Sequence, residues 1–522
     1  HNPRLDEKVA RMPGFADVHP LQPVHTVQGA LSVINELAFW LIELTGMHGV
    51  AMTPKAGAHG ELCGILCIRA ALEAKLVGRI VLPSSPDYNA ARQESNPAFQ
   101  AYPEIIVYCA CEHDVLECLA VARTYNVWVA VRCGGHSTAG YSVNSGMVVD
   151  LSDLKGVVLD PPRERVHVLP GTDFDHFNGA MNHTGWHVPT GACGSVCVGG
   201  FVQGGGYGYT SRAFGIQSDL VESFRVALAN GSIVTASAQE NPGLYWAMRG
   251  GTGGNFGVLL QVTYRMHRLD QVWAWAISWD AAHAAEVLTT MQAHYMKTGA
   301  PDALGYMMNL GYQNSTPVYM VQGMFCGTRD EGMKAIARLM AIPSAQLLVD
   351  KTGTYPDMNI WLEDHPYTLP DNLPDGVAET KACGYISTPL STADWQRIID
   401  YFKTSPNPWS LAYLEPYGGA INRYPVADSA FIHRHVDADL VVDVFWTNDT
   451  ERAQMEAWLD GFMNLVKPFL NGHVYQNYPD ASLQDFAQAY WGPAYPQLQQ
   501  VKAQYDPGNF FHFQQSVRLP SL

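Results

Sequence analysis

Glycine is the residue type whose spacing first points to chemistry in this chain. Three clusters stand out: Gly134-Gly135-His136-Ser137, Gly199-Gly200 running on to Gly204-Gly205-Gly206-Tyr207-Gly208, and Gly250-Gly251-Thr252-Gly253-Gly254. Without a Cβ, successive backbone N–H groups can close on an anion, so several such clusters together suit a pyrophosphate-bearing cofactor. None has the spaced G-x-G-x-x-G of a Rossmann turn, and each alone also fits a tight turn or close strand packing. Cys109, Cys111, His113 and Cys118 carry metal-ligand chemistry. Cys109 ends the apolar run Ile105-Ile106-Val107-Tyr108 and Cys118 falls in a predicted helix, so a fourfold zinc geometry has no second half and no metal is assigned. In the run 438–446 the even positions Ala438, Leu440, Val442, Val444 and Trp446 are apolar, while Asp439 and Asp443 share the odd face with Val441 and Phe445. If the even face packs on helices, the odd face lines a cavity where two carboxylates would suit the hydroxyls of a polyol or sugar. Alternatively the two aspartates face solvent at a sheet edge. Glu415, on Leu411-Tyr413-Glu415, is a weaker candidate of the same kind.

The elements that must hold these residues follow from periodicity and composition. The chain has 522 residues, 47% hydrophobic and 16% charged, enough for several structural units with large cores. Its formal charge of -17 argues against a nucleic-acid surface. Ten cysteines over this length are too sparse for a disulfide scaffold. The most apolar stretch, residues 30–45, is broken by Asn35, Glu36 and Glu43, so no membrane span is expected. No signal peptide is visible and the reading is a soluble, cytoplasmic protein, although a start at His1 leaves room for a removed leader. Residues 28–45 have helical apolar spacing and a second helix is expected over 61–77 after the turn at 57–60. From residue 104 strands (104–109, 127–132) alternate with a helix (113–125). From about 270 to 480 strands such as 319–325 and 440–446 alternate with helices such as 331–340 and 450–465. An antiparallel sheet with helices on one face fits that texture.

The clusters also stand in a known order. Val131-Arg132-Cys133-Gly134-Gly135-His136-Ser137, Gly191-Ala192-Cys193-Gly194-Ser195-Val196-Cys197-Val198-Gly199-Gly200, and the stretch from Glu240-Asn241-Pro242 to Gly254-Asn255-Phe256-Gly257 closely resemble the vanillyl-alcohol-oxidase flavoprotein superfamily. Glu415-Pro416-Tyr417-Gly418-Gly419-Ala420 and Tyr505-Asp506-Pro507-Gly508-Asn509-Phe510-Phe511 narrow the resemblance to its berberine-bridge-enzyme-like oxidases, over about residues 79–522. The resemblance implies an α+β fold. A two-part FAD-binding domain (79–268 and 475–522) would hold the cofactor against a substrate domain (269–474), whose antiparallel sheet is covered by helices.

It further implies bicovalent FAD, tethered through His136 and Cys193. The other cofactor contacts would be Arg132, Gly134, Gly135, Ser137, Val196, Gly199, Gly200, Gly206, Asn255, Val258 and Asn509. An imidazole nitrogen and a thiolate can both form stable bonds to an electrophilic flavin ring. Cys197 stands where the family usually has glycine and reads as a packing residue. Tyr475-Gln476-Asn477-Tyr478-Pro479-Asp480 resembles the family's Asn-Tyr-x-Asp element, which makes Tyr478 the implied base and Tyr207 its partner. A free phenol has a pKa of about 10, so the phenolate needs stabilising, and a hydrogen bond from a second phenol could do this. Val196 falls where valine goes with oxidase behaviour and bulkier Leu or Ile with dehydrogenases. The expected function is hydride removal from an alcohol or hemiacetal carbon of a carbohydrate or hydroxylated secondary metabolite, with O2 reduced to H2O2. The alternatives are oxidative cyclisation or desaturation of a natural product, a dehydrogenase using another acceptor, and a flavin-loaded binding protein.

Residues 1–78 lie outside that resemblance. His19-Pro20-Leu21-Gln22-Pro23-Val24-His25-Thr26-Val27-Gln28-Gly29-Ala30 and Pro54-Lys55-Ala56-Gly57-Ala58-His59-Gly60-Glu61 resemble an internal piece of glycine decarboxylase, a pyridoxal-phosphate enzyme, without its cofactor lysine. No pyridoxal-phosphate site is expected. A helical hairpin used for packing or for homo-oligomerisation is.

Overall fold

The computed structural model describes residues 8, 11–12, 23, 26–47, 50–52, 63–64, 66–70, 72, 75–296, 299–367, 369–370 and 372–521. The chain divides into two compact units, residues 1–74 and 75–522. In the first, the helix Gln28–Thr45 forms as its apolar spacing predicts. It ends on Gly46, whose positive φ lets its N–H reach the Ile42 carbonyl. Leu31, Ile34, Leu37, Phe39, Trp40 and Leu44 on this helix are exposed. Helix is also assigned at 63–64, 66–70 and 72, but residues 75–78 are turn and bend, so the helix expected to reach residue 77 stops earlier. The turn expected at 57–60 lies outside the described residues.

The second unit holds three main sheets. Strands β1 (Arg79–Val81), β2 (Ile105–Tyr108), β3 (Val129–Arg132) and β4 (Met147–Asp150) form the first, in the order β1-β2-β4-β3, with β4 parallel to both β2 and β3. The helix Glu112–Tyr125 crosses between β2 and β3 and buries Val115, Cys118, Leu119 and Ala122, a stripe at helical spacing. Cys118 is thus a core residue, as is Cys109 at the end of β2. Among the described residues no group of three or more His, Cys, Asp or Glu side chains could hold a metal ion. Strands β5 (Val157–Asp160), β6 (Arg165–Val168), β8 (Val221–Ala227), β9 (Ile233–Ser237) and β10 (Val258–Arg265) form an antiparallel sheet in the order β5-β6-β10-β8-β9, and β7 (Trp186–His187) pairs with β11 (His267–Arg268).

The third sheet is antiparallel and seven-stranded: β12 (Val272–Trp279), β13 (Leu304–Gln313), β14 (Thr316–Phe325), β15 (Gln346–Gly353), β16 (Ala378–Ile386), β17 (Leu411–Pro416) and β18 (Ala438–Trp446), in the order β15-β12-β14-β13-β17-β18-β16. One face buries Trp273, Trp275, Tyr306, Leu414, Leu440, Val442 and Val444 with Leu288, Trp395, Ile398, Trp458 and Phe462 from the helices Ala284–His294, Thr392–Phe402 and Asp449–Val466. These helices start on clear signals: Ser391 and Asp394 form a capping box, and Asn448 accepts the N–H groups of Thr450 and Glu451. The parity expected for β18 therefore holds, with its even residues under the helices. β18 is an inner strand and every one of its residues is buried, so its aspartates do not lie at a solvent-exposed edge. The segment expected as one helix over 331–340 is two, Arg329–Ala335 and Ala337–Met340, because Ile336 leaves helical geometry. Among the described residues no helix is long and apolar enough to cross a membrane.

Candidate active site

The face of the third sheet away from those helices carries the polar residues. Antiparallel partners point to the same side, and β16, β18 and β17 pair Lys381 with Asp443, Asp443 with Leu411, Tyr385 with Asp439, and Asp439 with Glu415. Glu379, Lys381, Tyr413 and Glu415 from this face form one wall of a cavity of about 890 Å³. The opposite wall is built from the glycine clusters and from residues 133–141, together with 475–479 and 511–515.

The segment 475–479 is pinned from both ends. The Gly206 N–H donates to the Tyr475 hydroxyl at 2.8 Å, Asn477 Nδ2 donates to the Phe201 carbonyl at 2.9 Å, and the Thr138 hydroxyl donates to the Pro479 carbonyl at 2.9 Å. A Cβ on Gly204 would fall 1.9 Å from Asn477 Oδ1, so this glycine makes room for the tyrosine segment. Gly206, at φ +94, leaves room for the Phe201 ring and Gln217 and lies outside the cavity lining. Part of the second cluster therefore builds the support for Tyr478. Gly200 has open space where its Cβ would be, and it lines the cavity with Gly134, Gly135, Gly199, Gly253 and Gly254.

Tyr478 is half-buried and its hydroxyl donates to Glu415 Oε1 at 3.1 Å. Lys381 Nζ lies 4.8 Å from the Tyr478 ring centroid, 3.1 Å from Asp443 and 4.0 Å from Glu379. Burial, and next the Glu415 charge, hold the Tyr478 phenol well above its ordinary range, so at rest it keeps its proton. Burial pushes Glu415 up to about 7, even though the Tyr478 hydroxyl and Lys381 favour its charged form. Burial alone would lower the Lys381 pKa, and Asp443 and Glu379 reverse this, so the ammonium is held above its usual value.

The expected hydrogen bond between Tyr207 and Tyr478 is not formed. Tyr207 lines the cavity, but its hydroxyl donates to the Pro416 carbonyl at 2.9 Å and its ring stacks on Tyr417 at 5.6 Å. Tyr413, two residues from Glu415 on β17, interacts with Tyr478 instead, and the Tyr475 ring packs edge-on against Tyr478 with centroids 5.0 Å apart. Glu415 is in the wall, but Asp439 and Asp443 lie behind it: Lys381 covers Asp443 and Glu415 stands beside Asp439.

The two expected tethers meet at one serine. Ser195 Oγ is 3.1 Å from His136 Nε2 and 3.4 Å from Cys193 Sγ, and His136 and Cys193 line the cavity. Cys193 is exposed, and burial lowers the His136 pKa, which favours the neutral imidazole that can act as a nucleophile. Cys197 is buried, with its thiol toward the Gly171 carbonyl, and burial pushes it up to about 12, so it is the inert neighbour. Ser137 and Val196 also line the cavity, and Ser137 Oγ accepts the Tyr141 N–H at 3.1 Å.

Four other expected cofactor contacts, Arg132, Asn255, Val258 and Asn509, do not line the cavity. Arg132 is buried against Asp150 and donates to the Ala91 carbonyl at 2.7 Å, so its guanidinium is used within the first sheet. Asn255 joins two distant segments, donating to the Gly251 carbonyl at 2.9 Å and accepting the Val517 N–H at 2.7 Å. Val258 is a buried β10 core residue, and Asn509 supplies a positive-φ turn. Beside that turn Lys502 donates at 2.7 Å both to Asp506 and to the Asn255 carbonyl, making the C-terminal motif a clasp on the third glycine cluster. The residues not foreseen are Ser195, Glu379, Lys381 and Tyr413. In 378–386 the alternation of Glu379, Lys381, Cys383 and Tyr385 with Ala378, Thr380, Ala382 and Gly384 would have marked a polar face, but the run was not recognised as a strand.

The residues present fit FAD. A cradle lined by glycines continues into a wall carrying an accessible thiol, an imidazole whose neutral form burial favours, and the hydrogen-bonded pair Tyr478 and Glu415. The cavity is also near the upper end of the ~300–1,000 Å³ typical of ligand sites.

Comparison with known proteins agrees with this reading. Residues 103–237 match the family described as FAD binding domain, and residues 474–518 the family described as Berberine and berberine like. The uncharacterized FAD-linked oxidoreductase YgaK of Bacillus subtilis is 28% identical over 454 residues, 85% of this chain and 98% of that protein. Xylooligosaccharide oxidase of Thermothelomyces thermophilus is 25% identical over 465 residues, 83% of this chain and 91% of that protein. The solved structure of a single-substitution variant of BBE-like 1 from Physcomitrella patens superposes with a TM-score of 0.79 at 25% identity, over 87% of this chain and all of that one. Separately, a probable glycine dehydrogenase (decarboxylating) subunit 2 of Caulobacter vibrioides is 58% identical over 102 residues, 20% of this chain and 19% of that protein. That resemblance is longer than the 60 or so residues read from the sequence.

Proposed function

Because the chain is a berberine-bridge-enzyme-like, FAD-dependent oxidoreductase, we propose that it oxidises an alcohol or hemiacetal carbon of a hydroxylated substrate, most plainly a carbohydrate, with Tyr478 and Glu415 removing the hydroxyl proton. The observation that carries this is the 3.1 Å hydrogen bond from Tyr478 to Glu415 in the cavity wall. When bound, FAD supplies the two-electron acceptor that takes the carbon-bound hydrogen as hydride at N5. The Tyr478 oxygen accepts the substrate proton as its own proton passes to Glu415, so a free phenolate need not form in this desolvated site. Lys381, beneath the Tyr478 ring, offsets the negative charge that gathers on the phenol oxygen.

His136 and Cys193 are the residues that would tether the flavin, and their common contact with Ser195 supports a role for both. The small Val196 at the cavity wall supports O2 as the electron acceptor, with H2O2 as product. Glu379, Tyr413 and Glu415 present acceptors and a ring face to a sugar, and one relative of comparable coverage is a xylooligosaccharide oxidase. The test is a peroxide-coupled screen across mono- and oligosaccharides, aryl alcohols and polyketide lactols. Sugar-dependent peroxide that is lost in Tyr478→Phe is the expected result. Flavin reduction by none of the sugars would overturn the substrate class, and an unchanged reduction rate in Tyr478→Phe would overturn the base.

A further inference from the structure

Asp439 is a fully buried carboxylate that proton removal by Tyr478 and Glu415 does not use. It lies opposite Glu415 in the β17–β18 register, on the same face of the sheet. Among the described residues neither of its side-chain oxygens has a hydrogen-bond partner. The charged and titratable groups around it are Lys381, Cys383 and Tyr385 from β16, Glu415 and Tyr417 from β17 and the turn after it, and Asp443 further along β18. The phenols are already engaged, since the Tyr385 and Tyr417 hydroxyls lie 3.0 Å apart and bond to each other. The cation is engaged as well, because Lys381 lies 3.1 Å from Asp443 and 4.0 Å from Glu379. Two neighbouring buried carboxylates without a counter-charge of their own cannot both ionise.

We propose that Glu415 and Asp439 hold one proton between them, that it resides on Asp439, and that Asp439 is thereby the positioning residue that keeps Glu415 charged and open to the Tyr478 proton. The assignment within the pair follows from the hydrogen bonds. Glu415 receives the Tyr478 O–H, which stabilises its charged form, whereas Asp439 has only the influence of the Gly384 amide and the more remote Lys381 charge. Burial, and next the Glu415 charge, hold Asp439 well above the carboxylate range, consistent with this order. The functional meaning rests on the proposed proton transfer, but the protonation state does not, and it can be read without substrate.

The experiment is a proton count on unfolding. Purified holoenzyme in weakly buffered solution at pH 8 is transferred to concentrated guanidinium chloride, and the protons exchanged are measured by pH-stat. In the unfolded chain Asp439 is ionised (pKa about 3.9), so wild type releases a proton there that Asp439→Asn lacks. Asp439→Asn is expected to release one proton fewer per chain. An unchanged count in Asp439→Asn overturns the proposal. Should Asp439→Asn fail to fold, the infrared spectrum of wild type at pH 8 serves instead: a C=O stretch from a protonated carboxyl group is expected, and its absence overturns the proposal. Failure of Tyr478 as the base would leave all of these counts untouched and would appear only in the rate of flavin reduction.

Discussion

Replacing Lys381 by Met removes the only cation close to Asp443 among the described residues while keeping most of the stem that packs under Tyr478. Breaking a buried ion pair from one side costs about 3–5 kcal/mol, because the remaining charge is left without compensation. Asp443 is nearly buried and one of its oxygens has no other partner, so it escapes part of that cost by taking up a proton in the folded state. That uptake fixes the sign of the pH effect. A carboxylate whose folded pKa is raised contributes stability that is fully present below its unfolded value of about 3.9 and is lost as pH rises through the folded value, at about 1.4 kcal/mol per pH unit. Lys381 itself stays charged across this range in wild type. Burial already pushes Asp443 up to about 7 in wild type, so both proteins hold it neutral at pH 5, and the variant should fall behind only above pH 7, by about 1.4 kcal/mol at pH 8. Guanidinium unfolding at both values, followed by tryptophan fluorescence, measures the gap. The double variant with Asp443→Asn should remove the pH dependence. An equal loss at pH 5 and pH 8, or a dependence that survives in the double variant, would refute the reasoning.

Three further outcomes are expected. Glu415→Gln removes the proton acceptor: flavin reduction in a stopped-flow assay should drop by about 10²–10⁴-fold, and the acid limb near pH 7, above which the wild-type carboxylate is charged, should vanish. A limb that persists unchanged would assign it to another group. Cys193→Ala should leave the protein yellow after acid precipitation through His136, whereas Cys193→Ala with His136→Ala should give a colourless pellet, and intact mass shows the loss of one FAD. Trp395→Ala, under the helical face of the third sheet, should cost about 3–5 kcal/mol in denaturant unfolding, and a loss below 1 kcal/mol would mean that the face repacks.

What could be read in advance followed periodicity and motif order. The alternation in 438–446 identified which face of β18 lies under helices, because a strand has a period of two wherever it sits in a sheet. It did not show that Asp439 and Asp443 lie behind the wall, because that depends on Lys381 and Glu415 from strands distant in sequence. Lys381 carries no local signal of function, since its meaning comes from a cross-strand partner 62 residues away. Motif order led to Tyr478, yet the choice of Tyr207 as its partner failed: closeness of two motif tyrosines to one cofactor says nothing about where each hydroxyl points. Arg132 and Asn255 stand in the expected motifs but serve the scaffold, with Asn255 joining the third glycine cluster to Val517.

That last contact bears on how the enzyme comes to hold its flavin. The cavity is walled by residues from 95 through 515, and the clasp of Lys502, Asp506 and Asn255 joins a segment made late to one made 247 residues earlier. At about 5–20 residues per second, a ribosome needs roughly 20–75 s after making Tyr141 to reach Gln515. Throughout that interval the His136 imidazole, joined after a further 52 residues by the Cys193 thiol, has no completed chamber around it. Cofactor loading therefore waits until the segment through Gln515 has been made. A nascent polypeptide stalled short of residue 502 should capture no flavin, however long it waits on the ribosome.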